Sequence, residues 1–459
     1  MARFERLQVL DELFLHLEGP NTHMHVGGVA IFEGPTPDYQ EFLDIVRGRL
    51  QSVPRFRQKL ANVPFGLGRP VWVDDTHFNL EYHVRNTALP APGDEEKLKR
   101  LVARIMSQQL DRSKPLWEIW FAEGLPGGRF ALISKTHHCL IDGVSGTDIM
   151  TILLDVTDEP EQPEVERWRP APEPTPDQLL VEALKERITS PAEAVRSLQS
   201  VVLDPAKLPN RIVEGAKALG AFIGGSFSAP PSSVNQSIGP HRRWETVLTD
   251  LEDFKRVKDS LGGTVNDVVL TVVTGGLRYL LKSRGERVDD VELRAMVPLS
   301  VRADHEQGAL GNRVAALWAA LPVYEEDPVE RLHIVHEEMK DLKSSGQAVG
   351  AQLLTTFGEY APPTILAQAS RLVARQRAFN LVITNVPGPQ FPLYTLGRRM
   401  TEVYPVVPLS DNTTIGVALF SYAGTIGFGL FGDYDAAPDL SVLAEGIEKS
   451  IAELLQASS

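Results

Sequence analysis

Two adjacent histidines, His137 and His138, with a carboxylate at Asp142 and a glycine at Gly143, are the residues of this chain best suited to chemistry. A neutral imidazole can take a proton from an alcohol as that alcohol attacks a carbonyl, and the ordinary histidine pKa of about 6.5 suits that work near neutral pH. On an extended chain neighbouring side chains point to opposite faces. One ring can then face a substrate while the other is held in the wall. Asp142 can cap the first amides of a following helix, or bind an arginine and lock the turn. Gly143 lets a ligand or another chain come close to the backbone. A zinc site would need a third or fourth ligand of the right type, and the sequence has no HExxH string and no paired cysteines. The single cysteine, Cys139, could act as a nucleophilic thiolate with His138 as its base, but a neighbour on a strand points away from that histidine.

The elements that must hold these groups can be read on either side of them. Phe130 to Thr136 reads as a strand inside a sheet, interrupted by Ser134 and Lys135. Val144 to Leu154 carries apolar residues at helical spacing. The histidines and Asp142 therefore sit on a strand-to-helix turn, a common seat of chemistry. Upstream, Met24 to Phe32 reads as a strand and Tyr39 to Leu50 as a helix with Phe42, Ile45, Val46 and Leu50 inward. Val71 to Asp74 and Leu80 to Val84 read as short strands, Glu96 to Leu110 as an amphipathic helix, and Trp117 to Ala122 as a strand.

From Asp158 to Pro176 there are six prolines among acidic residues, which reads as an exposed connection. Residues 177–228 read as broken helices packed on the body of the protein. Beyond them come a strand at Trp244 to Leu251, a helix at Thr264 to Leu281 with Thr264 and Asp267 spaced as a capping box, and strands at Leu293 to Val297 and Val314 to Leu321. A helix at Pro328 to Lys343, a strand at Asn380 to Thr384, a hairpin around Ala423-Gly424 and a last helix at Leu440 to Leu455 complete the pattern. Strands and helices recur in both halves, so two α/β units side by side are expected.

The chain has 459 residues, enough for two domains, with 43% hydrophobic residues. Its formal charge of −14 argues against nucleic acid, whose phosphates would repel it, while leaving room for a local basic patch. One cysteine allows no internal disulfide and fits a reducing cytoplasm. The opening stretch lacks the apolar core of a signal peptide, and no run reaches the ~18–20 apolar residues of a spanning helix.

The string His137 to Gly143 has the form HHxxxDG, and it resembles the signature of the CoA-dependent acyltransferase superfamily. Pro115-Leu116-Trp117 resembles the PLW motif, and Val265-Asn266-Asp267-Val268 the ND motif, of the bacterial wax ester synthase/diacylglycerol acyltransferase family. Met24 to Gly27, Val297 to Arg302 and Asn385 to Pro389 are also similar, so the resemblance runs over nearly the whole chain outside 157–235. It implies an α/β fold of two chloramphenicol-acetyltransferase-like subdomains with a substrate tunnel between them. Residues 1–156 would carry HHxxxDG, 157–235 the connection and 236–459 the C-terminal subdomain.

The resemblance also implies an O-acyltransferase that moves a fatty acyl group from acyl-CoA to diacylglycerol, making triacylglycerol. The alternatives are a wax ester synthase acting on long-chain alcohols and an inactive lipid-binding relative. His138 would be the general base, His137 its support, and Asp142 a structural carboxylate paired with Arg57 or, second, Arg302. Gly143 and Asn266 would meet substrate, Asn266 while also sitting in the first turn of a capped helix. The PLW string reads as packing, with lining of the acyl channel as its alternative, and Asn385 to Pro389 as a turn shaped for close approach between the units. No metal and no cofactor are expected, acyl-CoA being a substrate. The expected location is cytoplasmic, with peripheral contact to the inner membrane or lipid droplets.

Overall fold

A strand buried on both faces needs a neighbour on each side, and Phe130–His137 is buried at every residue. In the computed structural model it lies inside a six-stranded sheet. The structure describes residues 4–141, 149–160, 168–189, 229–300, 314–344 and 378–459. The first half supplies β1 (His25–Phe32), β2 (Gln58–Ala61), β3 (Val71–Asp74), β4 (Val84–Ala88), β5 (Trp117–Glu123) and β6 (Phe130–His137). Its helices are α1 (Val9–Leu17), α2 (Tyr39–Arg49), α3 (Leu80–His83), α4 (Glu95–Met106), α5 (His138–Ile141), α6 (Ile149–Leu153) and α7 (Pro176–Thr189).

The second half supplies β7 (Arg242–Asp250), β8 (Glu292–Ser300), β9 (Val314–Pro322), β10 (Leu381–Pro387), β11 (Tyr394–Thr395), β12 (Arg398–Val406), β13 (Ile415–Tyr422) and β14 (Thr425–Asp433). Its helices are α8 (Leu251–Leu261), α9 (Val265–Ser283), α10 (Pro328–Ser344) and α11 (Leu440–Ala457). The two large sheets run β11-β12-β1-β6-β5-β4 and β7-β14-β13-β10-β8-β9.

The fold departs from the sequence reading at Leu80 to Val84 and adds a pairing at β12. Leu80 to Val84, read as a strand, opens as α3, because the Asn79 side chain accepts from the Glu81 N–H and turns the chain. The strand itself begins at Val84. The second difference is β12. It belongs by sequence to the second half, yet it pairs antiparallel with β1, from Gly27 opposite Val406 to Phe32 opposite Met400. The second half therefore reaches across and completes the first sheet.

Where β12 crosses β14, two glycines are required. A Cβ on Gly427 would lie 2.0 Å from the Val403 carbonyl oxygen, and one on Gly429 would lie 1.8 Å from that of Pro405. No side chain fits there.

α4 is the element that joins the halves. Asp94 caps it, and its stripe of Leu98, Leu101, Val102, Ile105 and Met106 is buried. One core cluster packs this stripe on Val29, Ile31 and Ile133 of the first sheet and on Trp244 and Phe431 of the second. α9 is apolar nearly all round and lies within the second core, as its burial requires. Among the described residues no helix is long and apolar enough to cross a membrane.

Candidate active site

β6 ends at His137 and the chain turns at once into α5. The two histidines thus part company, though by a change of backbone from strand to helix rather than by alternation along one strand. Register sets His25 of β1 opposite His137. The His138 N–H donates to the Met24 carbonyl at 2.8 Å. The segment between α1 and β1 therefore wraps the histidine pair.

His137 is fully buried. Its Nδ1 accepts from the Cys139 N–H at 3.1 Å, so a neutral ring carries its proton on Nε2. That nitrogen lies 3.6 Å from Glu18 Oε2. His25 Nε2 lies 3.4 Å from the other oxygen of the same carboxylate. Arg112 donates its Nε–H to Glu18 at 2.7 Å. Burial alone would raise the Glu18 carboxyl, but its contacts with His137 and His25 and the charge of Arg112 hold it well below the usual range. Burial pushes His25 the other way, down to about 3, against the pull of Glu18.

His138 is partly buried. Its ring stacks on Phe14 of α1, with centroids 3.9 Å apart. Its Nδ1 is buried without a hydrogen bond of normal geometry. Burial, with the neighbouring His137, pushes its pKa down to about 4, opposed only by its own backbone. The ring is neutral at pH 7 and keeps a lone pair for a proton, which is what a general base requires. Cys139 is wholly buried, and burial, followed by the negative charges of Asp11 and Glu18, pushes its thiol well up. A thiol held protonated is a poor nucleophile.

The second half grips the segment that wraps the histidines. Asn21 Nδ2 donates to the Ile238 carbonyl at 3.0 Å, Thr22 Oγ1 hydrogen-bonds Asp411, and the buried Arg242 donates to the Asn21 carbonyl.

Nothing in the sequence marks Glu18 as special. It is one carboxylate seven residues before His25, with no spacing that announces a partner. Arg112 and Asp411 are missed for the same reason. Only contacts between distant segments, Arg112 with Glu18 and Asp411 with Thr22, bring them to the motif.

A family model for the wax ester synthase/diacylglycerol acyltransferase catalytic domain matches residues 7–269, and one for the C-terminal domain of that family matches residues 310–455. The chain belongs to the wax ester synthase/diacylglycerol acyltransferase family. A relative from Mycobacterium tuberculosis, named "Probable diacyglycerol O-acyltransferase tgs1", is 36% identical, over 98% of this chain and 96% of the relative. The solved wax ester synthase/diacylglycerol acyltransferase of Marinobacter aquaeolei VT8 is 28% identical, covers 99% of each chain and superposes with a TM-score of 0.71. The first condensation domain of the calcium-dependent antibiotic synthetase shares the fold, with a TM-score of 0.59 at 15% identity. The protein is thus an acyltransferase with the paired α/β architecture of this family.

The other acyltransferase motifs fall as follows. Trp117 of the PLW string is fully buried, stacks on His83 at 4.7 Å and donates its Nε1–H to the Phe56 carbonyl at 2.7 Å. The Leu116 carbonyl accepts the His137 N–H at 2.9 Å, so this string backs the histidines. Thr264 and Asp267 form the expected capping box at the start of α9. Asn266 lies in its first turn, and its Oδ1 accepts from Asn385 Nδ2, of the Asn385 to Pro389 string, at 3.5 Å. Two motifs distant in sequence thus meet in the second half. Arg57 lies over the Trp168 ring at 4.8 Å. Asp142, Gly143 and Arg302 lie outside the described residues. Asp75, His77 and Glu173 stand at metal-ligand spacing elsewhere, but the Lys59 ammonium already lies 2.6 Å from Glu173.

Proposed function

We propose that this acyltransferase moves a fatty acyl group from acyl-CoA to the hydroxyl of diacylglycerol, making triacylglycerol. The observation that carries this reading is the neutral imidazole of His138, partly buried on Phe14 within HHxxxDG and backed by a histidine seated on a buried carboxylate. The name of the mycobacterial relative supports diacylglycerol as acceptor.

His138 takes the acceptor's hydroxyl proton as that oxygen attacks the thioester carbonyl. With Nδ1 buried, Nε2 is the nitrogen that does so. A C–O bond forms, the tetrahedral intermediate collapses, the C–S bond breaks and the thiol of CoA leaves with the proton. His137 supports the turn and does not transfer protons. Asn266, held by Asn385, assists the acceptor or the oxyanion, and Gly143 lets substrate approach the backbone. Asp142 acts structurally, with Arg57 or Arg302 as its partner. General-base help accounts for only ~10²–10⁴-fold. Juxtaposing two lipids away from water supplies much of the rest.

The likeness to the Marinobacter structure favours a second reading, with long-chain alcohols as acceptors. Thiol release measured with acyl-CoA against a panel of diacylglycerols and alcohols separates the two. His138→Ala is expected to fold normally and to lose at least a hundredfold in transfer. Turnover near that of the wild type would remove His138 from the chemistry.

We place the protein at a lipid surface by peripheral contact. Phe65 supports this: it stands 87% exposed at the tip of a short turn, with a positive φ of 59° that holds the ring outward. Phe65→Ser is expected to weaken binding to lipid droplets without changing turnover of dispersed substrate.

A further inference from the structure

On a chain of formal charge −14, one cleft gathers positive charge. It lies between α4 and β7, has a volume of about 740 Å³, and is walled by Arg100, Arg104 and Ser107 on one side and by Arg242 and Arg243 on the other. Its cations are not equal. Lys99 is neutralised, 2.7 Å from Glu245 and 3.4 Å from Glu96. Arg242 is buried and engaged, donating to the carbonyls of Gly239 at 2.6 Å and His241 at 2.9 Å. Arg100 and Arg104 stand one helical turn apart, both exposed, with no ion pair or hydrogen bond to the described residues. Arg243 donates its Nε–H to the Tyr434 carbonyl at 2.8 Å and lies on that ring at 4.0 Å, which leaves its terminal nitrogens unpaired among the described residues. Three guanidiniums around one cleft, none in an ion pair among the described residues although the charges of Asp94 and Asp439 act on Arg100 and Arg243, suit phosphate oxygens, which they can meet with paired N–H groups.

The inner end of the cleft, at Ser107 and Gln108, is linked to the histidine site by hydrogen bonds. The Arg242 N–H donates to Ser107 Oγ at 3.0 Å. Just beyond, Lys135 Nζ, two residues before His137, donates to the carbonyls of Ile105 at 3.1 Å and Gln108 at 2.6 Å. The Leu110 N–H donates to His25 Nε2 at 3.4 Å. A ligand lying along α4 with phosphates on Arg100 and Arg104 would run past Ser107 and Gln108, on the side of the molecule where β6 carries the histidines. We propose that this cleft holds the phosphate-bearing nucleotide end of the acyl-CoA donor, with Arg100, Arg104 and Arg243 as its phosphate ligands. This rests on the acyl-CoA reading above.

Phospholipid headgroups carry the same chemistry, so the test separates the sources. In the double variant Arg100→Ala/Arg104→Ala, KM for palmitoyl-CoA is expected to rise tenfold or more, with kcat within about twofold. KM for palmitoyl-pantetheine, which lacks the nucleotide, should stay at the wild-type value. A separate arm needs no turnover: free CoA should bind the wild type and bind the double variant at least tenfold more weakly. Equal losses with both thioesters, or no loss with palmitoyl-CoA, overturn the assignment. Unchanged CoA binding together with weaker binding to phosphatidylglycerol vesicles hands the cleft to lipid and likewise overturns it. If CoA binds as expected while no acyl acceptor is ever used, the cleft stands and the transfer reading falls.

Discussion

Each half of the molecule holds a histidine against a buried carboxylate, and the two pairs differ in what else the carboxylate does. In the second half Asp267 lies 2.8 Å from His336 Nδ1 and also takes the Thr264 N–H at 2.8 Å. It closes a helix, and its histidine is 35% exposed. In the first half Glu18 ends α1 through its backbone N–H, which donates to the Phe14 carbonyl, but its carboxylate closes no helix. It lies among His25, His137 and Arg112, and its Oε1 has no hydrogen bond. A carboxylate that takes a backbone amide in a capping box, as Asp267 does, serves the fold, although Asp267 Oδ1, like Glu18 Oε1, is buried without a hydrogen bond. One held in the interior by two imidazoles and a single arginine, a turn away from an unpaired imidazole, serves a site.

This contrast can be broken by substitution. The largest effect is expected from Glu18→Ala, which leaves His25 and His137 facing an empty acceptor. It should cost about 1–3 kcal/mol in denaturant unfolding, the range for leaving buried polar groups unsatisfied, and lower kcat at least tenfold, with Glu18→Gln recovering part of the stability. Full activity in that variant would reduce Glu18 to a structural group. Asp267→Ala should cost about 1–2 kcal/mol, the range for a lost cap, and leave kcat at a temperature below the transition close to that of the wild type. His336→Ala should change stability by under about 1 kcal/mol, since its ring is half outside.

A pH titration sharpens the comparison without substitution. His138 and His25 titrate at about 4 and about 3 in the folded chain, against 6.5 when free. The unfolded chain then binds more protons below pH 6.5, so both histidines lose stability as the pH falls from there toward 4. Glu18, held below its ordinary 4.5, loses its contribution as the pH falls below that value, in the same direction. Melting temperature should therefore fall steadily below pH 6.5, and the acid limb of kcat/KM should lie nearer pH 4 than 6.5. The smallest effect is expected from Cys139→Ala, whose turnover should match the wild type. A lost burst of thiol release would point to an acyl-enzyme instead.

Much of the fold was legible because periodicity survives translation into burial. Leu98, Leu101, Val102, Ile105 and Met106 face inward as their spacing requires, and Thr264 and Asp267 cap α9 as their types require. The histidine turn was legible because a strand that opens on an apolar run ends on it. Other features had no local signal. Arg398–Val406 mixes two arginines, a glutamate and a proline, so it does not look like an interior strand, and its partner lies more than 360 residues earlier in sequence. Glu18 and Asp411 matter only through such distant pairings, which no window of sequence contains.

The placement of that one strand also governs how the molecule can come into being. While the chain is still on the ribosome, β1 offers a row of unpaired amides and carbonyls until residue 406 has emerged. Closing the sheet then means closing a very long loop, a slow event that leaves the nascent edge open to other chains. A fragment ending before Tyr394 keeps HHxxxDG but leaves that edge bare, and should be recovered as aggregate rather than as a soluble half-enzyme.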